Sequence, residues 1–394
     1  TASEYALHYA FDAGAQDPFV ILEYATPAEK GWMMLYSADG HFEGDVSLAY
    51  SGAGGKTSVA LTSARTTGSI GKASTTLPKA ADYQKPTGKS NAKVTDFVLT
   101  ETPEGFHYAF NAIGTDYMLL YWRSKEQTVT QPVYPDENGH YEGDVISELT
   151  FARTQFTVQV KSGAGSMKKE ATVRKGYQAP EAPQRQEGRL SGVTVCIDAG
   201  HQENGRFVNE PIGPGLSGST SGKGGMAQGT KTNRRESIVC LEIGMLLRDE
   251  LLRQGANVVM TREDQTTFHT NIERCEIAEA GGAQIMLRLH CNNSSNRSKR
   301  GIQVYGPLNS DYAKAVADAD TYREMGQKLL DAMKTRVGMT LANSTGMVRL
   351  NDNYVGNNWA KMMCFLVEMG YLSNPAEEYL LVTPVYQQWL AEGM

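Results

Sequence analysis

The sequence has no C-x-x-C pair, no G-x-S-x-G pentapeptide and no apolar run near the roughly 18 residues a membrane helix needs. The first absence argues against a cysteine zinc site. The five cysteines (Cys196, Cys240, Cys275, Cys291 and Cys364) are odd in number, confined to the second half and mostly set in apolar segments. They read as buried thiols acting as small hydrophobes, not as a disulfide framework. The second absence removes the anchor of a serine hydrolase. The third leaves no transmembrane segment. An excess of basic residues is also missing: 38 Lys+Arg face 44 Asp+Glu, a formal charge of −6. With a pI near 5.7, nucleic acid is not expected as a partner. No initiating methionine stands before Thr1, and the expectation is a mature form from which an export signal has been removed.

What is present points to more than one domain, since 394 residues exceed an ordinary single core. The first half repeats itself. His8-Tyr9-Ala10-Phe11-Asp12-Ala13 returns as His107-Tyr108-Ala109-Phe110-Asn111-Ala112, and Gly40-His41-Phe42-Glu43-Gly44-Asp45-Val46 returns as Gly139-His140-Tyr141-Glu142-Gly143-Asp144-Val145, both 99 residues on. Two matches at one offset indicate tandem copies of a module. Short alternating runs such as F-T-V-Q-V and T-S-V-A-L-T, punctuated by turn residues, predict all-β, Ig-like sandwiches over 1–84 and 92–176. K-P-T-G-K-S-N (85–91) reads as the joint between them. Gly176 to Arg189, with two prolines and many polar residues, reads as an extended linker, occupying 177–189 between domains.

From Leu190 the pattern changes. Strand-like runs at 193–197, 256–261, 284–289, 301–305 and 362–367 alternate with helical stretches near 234–254, 271–281, 311–337 and 375–391. This alternation predicts an α/β domain over 190–394, with a mostly parallel sheet flanked by helices.

The Ser217–Gly225 run resembles a phosphate loop but fails its G-x-x-x-x-G-K-[ST] spacing and reads as a Gly/Ser-rich excursion. Four of the seven histidines (His8, His41, His107, His140) are repeat-paired and are expected to serve the module's fold. His269 lies in a polar loop. His201 and His290 each follow an apolar strand-like run, V-C-I-D-A-G-H and I-M-L-R-L-H. In a parallel sheet, ligands gather beyond the carboxyl ends of strands, so two imidazoles delivered there suit a metal. Taken singly, each reads more readily as a part-buried loop histidine bonded to backbone; it is the matched pair that points to a metal. Gly200 is expected to let the chain turn sharply so that His201 faces the crevice. Cys291 adjoins His290 but should point to the opposite face.

Glu236 opens a helix whose Ile238, Leu241, Met245, Leu246 and Leu252 share roughly one face. Asn233 to Glu236 also fits the ends of a capping box, which alone would explain the glutamate. Two histidines and a glutamate with an open position form a standard catalytic zinc set. Glu368 ends the apolar run M-M-C-F-L-V-E, where a charge is costly without a partner or a task.

Together these features resemble the zinc-dependent N-acetylmuramoyl-L-alanine amidases of the amidase-3 type, across about 190–394. The likeness rests on ordered motifs: I-D-A-G-H-Q (197–202), Glu236, V-V-M-T-R-E (258–263), N-I-E-R (271–274), L-H-C-N (289–292), G-I-Q-V-Y (301–305) and V-E-M-G-Y-L-S-N (367–374). It implies Zn2+ held by His201, Glu236 and His290, Glu368 as the catalytic glutamate, and Asn292 as a substrate contact. The long interval after His201 leaves Glu203, Glu210 and Glu242 as competitors of Glu236. The family's usual serine is replaced in Arg288-Leu289-His290.

The resemblance further implies a hydrolase of peptidoglycan, of the autolysin kind, cleaving the amide between N-acetylmuramic acid and L-alanine, extracellular or associated with the cell wall. A zinc peptidase on other wall peptides and a non-catalytic wall-binding protein are the rival readings. The β modules are expected either to bind another wall polymer or to act as spacers. Trp32, Tyr36, Trp122 and Tyr134 could form a binding strip, although core packing accounts for such aromatics equally well.

Overall fold

In a computed structural model, the structure describes residues 2, 6–14, 17–48, 51, 53–64, 68–81, 92–102, 105–115, 118–123, 128–146, 154–162, 167–175, 180–202, 208–220, 226–337 and 347–394. The joint expected at 85–91 lies outside them, as do 221–225 of the Gly/Ser-rich excursion. The chain divides into two units, Thr1–Tyr177 and Gln178–Met394.

The first unit is built of antiparallel strands. The first copy contributes β1 (Ala6–Asp12), β2 (Phe19–Ala25), β3 (Glu29–Tyr36), β4 (His41–Ser47), β5 (Gly55–Ser63) and β6 (Ser69–Leu77). The second contributes β7 (Lys93–Thr102), β8 (Gly105–Ile113), β9 (Met118–Arg123), β10 (Thr128–Val133), β11 (His140–Ile146), β12 (Thr154–Lys161) and β13 (Met167–Lys175). β1 pairs with β4, and β11-β8-β7 form a matching small sheet. The remaining strands run as one eight-stranded sheet in the order β13-β12-β9-β10-β3-β2-β5-β6. The copies are therefore joined at β10–β3, through the pairs Thr128↔Lys30 and Val129↔Glu29.

Each copy nevertheless has its own core between its smaller and larger sheets. Leu7, Phe42 and Val46 meet Val20, Leu22 and Leu35 in the first. Phe106, Phe110 and Tyr141 meet Trp122, Phe156 and Val158 in the second. Tyr36 and Tyr134 are 47% and 45% exposed, whereas Trp122 is buried.

The repeat-paired histidines form a polar ladder on the open face of the small sheets. His8 bonds Asp45 through Nδ1 at 3.2 Å and His41 bonds Asp12 at 2.7 Å. In the second copy His107 bonds Asp144 at 2.9 Å and His140 bonds Asn111 at 2.8 Å. These are cross-strand partners in both copies, so the repeated letters encode side-chain pairing between two antiparallel strands that are not consecutive in the chain.

The second unit is a six-stranded sheet ordered β15-β14-β16-β19-β17-β18. Its strands are β14 (Thr194–Ala199), β15 (Asn257–Met260), β16 (Ile285–Asn292), β17 (Gln303–Gly306), β18 (Met347–Leu350) and β19 (Met363–Tyr371). β15, β14, β16 and β19 are mutually parallel, while β17 runs antiparallel to β19 and parallel to β18. The helices are α1 (Glu236–Arg253), α2 (Asn271–Ala280), α3 (Asp311–Val316), α4 (Ala319–Val337), α5 (Val355–Trp359), α6 (Glu377–Leu381) and α7 (Pro384–Gly393).

Three expectations are corrected by local chemistry. The stretch at 311–337 is two helices, because Asp318 accepts the Thr321 N–H at 2.7 Å and starts α4 afresh. The stretch at 375–391 breaks before Pro384, which occupies the first turn of α7. The expected linker docks along α1: Gln186 N–H donates to Leu252 O at 3.0 Å, and Arg248 donates to Pro180 O at 3.1 Å. β18 and α5 had no sequence signal of their own.

Trp122 is the largest fully buried side chain of the second copy's core, with edge contacts to Phe106 and Phe156. Trp122→Ala is expected to cost about 3–5 kcal/mol, read as a lower denaturant midpoint for the first unit, with the unfolding of the second unit unchanged.

Candidate functional site

β14 is apolar until Asp198, which is fully buried. Two guanidiniums and a hydroxyl satisfy this carboxylate. Arg274 bonds Oδ1, Arg288 donates to Oδ2 at 2.9 Å, and Thr261 donates to Oδ1 at 2.8 Å. Burial opposes its charge, but Arg274 and Arg288 outweigh burial and hold the carboxyl well below the usual range. The same residues tie down the following turn. Arg262 donates to Ala199 O (2.8 Å) and Gly200 O (2.9 Å), and Arg274 to Ala199 O (2.9 Å) and His201 O (3.1 Å). The Thr-Arg and N-I-E-R motifs are thus the fasteners of the I-D-A-G-H turn.

At this turn the left-handed residue is His201 itself, with φ 57°. Gly200 is not the hinge that was expected. A Cβ there would meet Leu289 O at 2.5 Å and the His290 ring at 2.6 Å. Glycine is required because two strand ends approach closely, and that approach brings the two imidazoles edge to face, with centroids 4.9 Å apart.

Glu236 is the first residue of α1 and is 3% exposed. The capping box that was the rival explanation of this glutamate does not form: the N-cap is Arg235, without a side-chain cap bond. The carboxylate turns inward instead. Its Oε1 faces His201 Nε2 at 3.1 Å and His290 Nδ1 at 2.9 Å, and accepts the Cys291 N–H at 3.1 Å. Its Oε2 accepts the Ala227 N–H at 2.8 Å. Burial works against its charge, yet bonds from His201 and His290 hold it well below an ordinary glutamate. Burial pushes His290 down, favouring the neutral ring that binds metals. The loop entering α1 is pinned by Glu378, which accepts Thr230 Oγ1 (3.1 Å) and Lys231 N–H (2.9 Å).

The competing glutamates are otherwise engaged. Glu210 accepts Asn271 Nδ2 (2.7 Å) and Ile272 N–H (2.8 Å) at the start of α2, and Glu242 bonds Arg234 and Gln387. Glu203 lies outside the described residues. Ligand atoms of His201, Glu236 and His290 all lie within 4.8 Å of one another. Two imidazoles and a carboxylate at this separation can hold a divalent cation of the borderline class.

Glu368 pairs in register with His290 across β16–β19 and lines the same cleft, whose volume is about 480 Å³. Burial, then the charge of Glu236, pushes its carboxyl well above the usual range. Its Oε2 is buried without a hydrogen-bond partner. An orphaned acid beside three clustered metal-type donors is a group held ready for a proton. Asn292 also lines the cleft and donates to Gln303 Oε1 at 3.0 Å.

A sequence profile of the N-acetylmuramoyl-L-alanine amidase family matches residues 195–394. The chain belongs to this family. Among curated amidases, the germination-specific N-acetylmuramoyl-L-alanine amidase of Bacillus subtilis is 26% identical over 219 residues, 52% of this chain and 78% of that protein. The probable cell wall amidase LytH of Staphylococcus aureus is 26% identical over 214 residues, 53% of this chain and 58% of that protein. A solved amidase structure, Ami1 from Mycobacterium smegmatis, aligns at 18% identity and TM-score 0.45, covering 52% of this chain and 94% of that one.

Parts of the amidase cleft had no signal in the sequence. His269, set aside as a loop residue, lies on the cleft wall with Phe268 and Tyr354. Arg288, noted only as a departure from the family, is a buried partner of Asp198. Gln303 fell inside a quoted motif, and its side-chain oxygen is met by Tyr305 of the same strand and by Asn292 and Tyr371 of two others.

Gly200→Ala is expected to push the two histidines apart, lowering divalent-cation affinity about tenfold or more in competition with a chromogenic chelator. Because the folded Asp198 titrates below its unfolded value of about 3.9, its contribution to stability is complete above that value. It is lost as pH falls toward the folded pKa. Asp198→Asn should remove this acid-side loss while lowering stability at neutral pH, read from urea midpoints between pH 3 and 7.

Proposed function

We propose that the second unit is a zinc-dependent peptidoglycan amidase, with His201, Glu236 and His290 as metal ligands. The observation that carries this reading is the convergence of the three donors beside Glu368, whose buried Oε2 has no hydrogen-bond partner among the described residues. The donor set fits Zn2+, which when bound supplies Lewis acidity at neutral pH.

This chain's residues then have separable tasks. Glu236 and the two imidazoles bind the ion, and the Asp198 network keeps the His201 turn from relaxing. Glu368 accepts the proton of the attacking water and delivers it to the departing amine of L-alanine. Its raised affinity for a proton suits both halves of that transfer. Asn292, held by Gln303, presents its amide to the substrate. The bond cleaved joins the lactyl carbonyl of N-acetylmuramic acid to the stem peptide.

The enzyme acts at the cell wall, and no helix among the described residues is long and apolar enough to cross a membrane. In the first unit, exposed Tyr36 and Tyr134 are the aromatics available to wall polymer, while the tandem sandwiches over 1–84 and 92–176 carry the catalytic domain that follows.

Glu368→Gln should retain stoichiometric zinc while losing about 10²–10⁴ in hydrolysis rate. Digestion of purified peptidoglycan, with product masses and a chelator control, measures the rate, and elemental analysis measures the zinc. Undiminished hydrolysis by the variant would remove Glu368 from the mechanism. Wild-type release of free peptides without cleavage at N-acetylmuramic acid would favour the peptidase reading.

A further inference from the structure

The first unit holds a second set of metal-type donors, which the hydrolytic reading leaves unused. Cross-strand partners share a face of a sheet. On the open face of β8 and β11 three such pairs stand in a row: His107–Asp144, Ala109–Glu142 and Asn111–His140. Ala109 is the small member of the central pair. Its short side chain leaves a notch with Glu142 in the middle and an imidazole at each end. His107 Nε2 faces Glu142 Oε1 at 3.3 Å, and His140 Nε2 faces Glu142 Oε2 at 3.7 Å.

We propose that His107, Glu142 and His140 bind a divalent cation of the borderline class, such as Zn2+, as a metal site of the first unit in its own right.

The tautomers support the assignment. Asn111 Nδ2 donates to Asp96 Oδ2 at 2.9 Å, which turns its Oδ1 toward His140. That oxygen can only accept, so His140 Nδ1, 2.8 Å away, carries the hydrogen. His107 Nδ1 donates in the same way to Asp144 Oδ1 at 2.9 Å. In the neutral rings both lone pairs therefore sit on Nε2, turned toward a carboxylate that is itself an acceptor. Lone pairs gather in this way around a positive charge, either a proton or a metal ion.

Spacing favours the metal ion. A charge-assisted N–H···O bond measures about 2.7–2.9 Å, shorter than both contacts. Donors held about 2.0–2.2 Å from a tetrahedral zinc stand about 3.3–3.5 Å from one another, and both contacts lie within a few tenths of an ångström of that. The cleft triad is tighter: among the described residues, only there do the ligand atoms of three residues all lie within 4.8 Å. Here the imidazoles flank the carboxylate and, being 30% and 39% exposed, have room to swing toward a shared ion.

The duplication supports it as well. In the first copy His8 and His41 face the two oxygens of Glu43 at 3.6 and 3.8 Å, again opposite an alanine, Ala10. Between the copies the Nδ1 partner of the second histidine changes from Asp12 to Asn111. That change drops the charge, keeps the acceptor and so preserves the direction of Nε2. A hydrogen bond at the other ring nitrogen is how metal-binding histidines are aimed.

The test uses the full chain and Zn2+ alone, with bound zinc counted by elemental analysis after dialysis against micromolar metal. Glu142→Gln should lose one equivalent relative to the wild type, and the zinc-dependent rise in the melting temperature of the first unit should shrink with it. Asn111→Ala, which removes only the support of Nδ1, should weaken that equivalent about 10–100-fold. The loss in Glu142→Gln should add to that in Glu236→Ala, so failure of this notch and failure of the cleft are read apart. Equal zinc content in wild type and Glu142→Gln overturns the proposal, whether or not the cleft takes up zinc.

Discussion

The site depends on one buried negative charge. Asp198 sits at the end of β14 with no access to water, and Arg274 and Arg288 reach it from α2 and β16. A carboxylate in that position is tolerated only when its lone pairs are filled. The groups that fill them also bond the carbonyls of Ala199 and His201 or stand on the strand that carries His290. Satisfying Asp198 and orienting the histidines are therefore the same act. Arg288 further occupies the space that a side chain at position 356 would need, so α5 is seated by the same network.

Around this anchor the charges are graded. Glu236 is ionised and surrounded by donors from two histidines and two backbone amides. Glu368, one strand away, has no such company, and burial together with the charge of Glu236 raises its affinity for a proton. Two carboxylates of one cleft are thus pushed in opposite directions by their surroundings, the usual signature of a division between binding and proton transfer.

Much of this was legible because strand ends are legible. His201, His290 and Glu368 each close an apolar run, and the ends of parallel strands share an edge. Glu236 was harder, since spacing alone did not separate it from Glu203, Glu210 or Glu242. The distinction between Glu236, Glu210 and Glu242 lies in tertiary partners: Glu210 finds the start of α2, and Glu242 finds Arg234 and Gln387. The hinge at Gly200 was misread because close approach and backbone reversal both demand glycine. Tyr354 and His269 carried no signal, because each reaches the cleft from a separate segment without a local pattern. The repeat in the first half announced itself by duplication, but the strand pairing between copies did not, since two registered residue pairs leave no mark on a sequence.

Those two pairs also set how the duplicated half responds to load. β3 and β10 are central in an eight-stranded sheet, and among the described residues they are joined through Thr128↔Lys30 and Val129↔Glu29, fewer registered pairs than at any other neighbouring pair in it. Tension that draws the copies apart concentrates on that seam, and the copies would separate there as intact bodies, each keeping its own core.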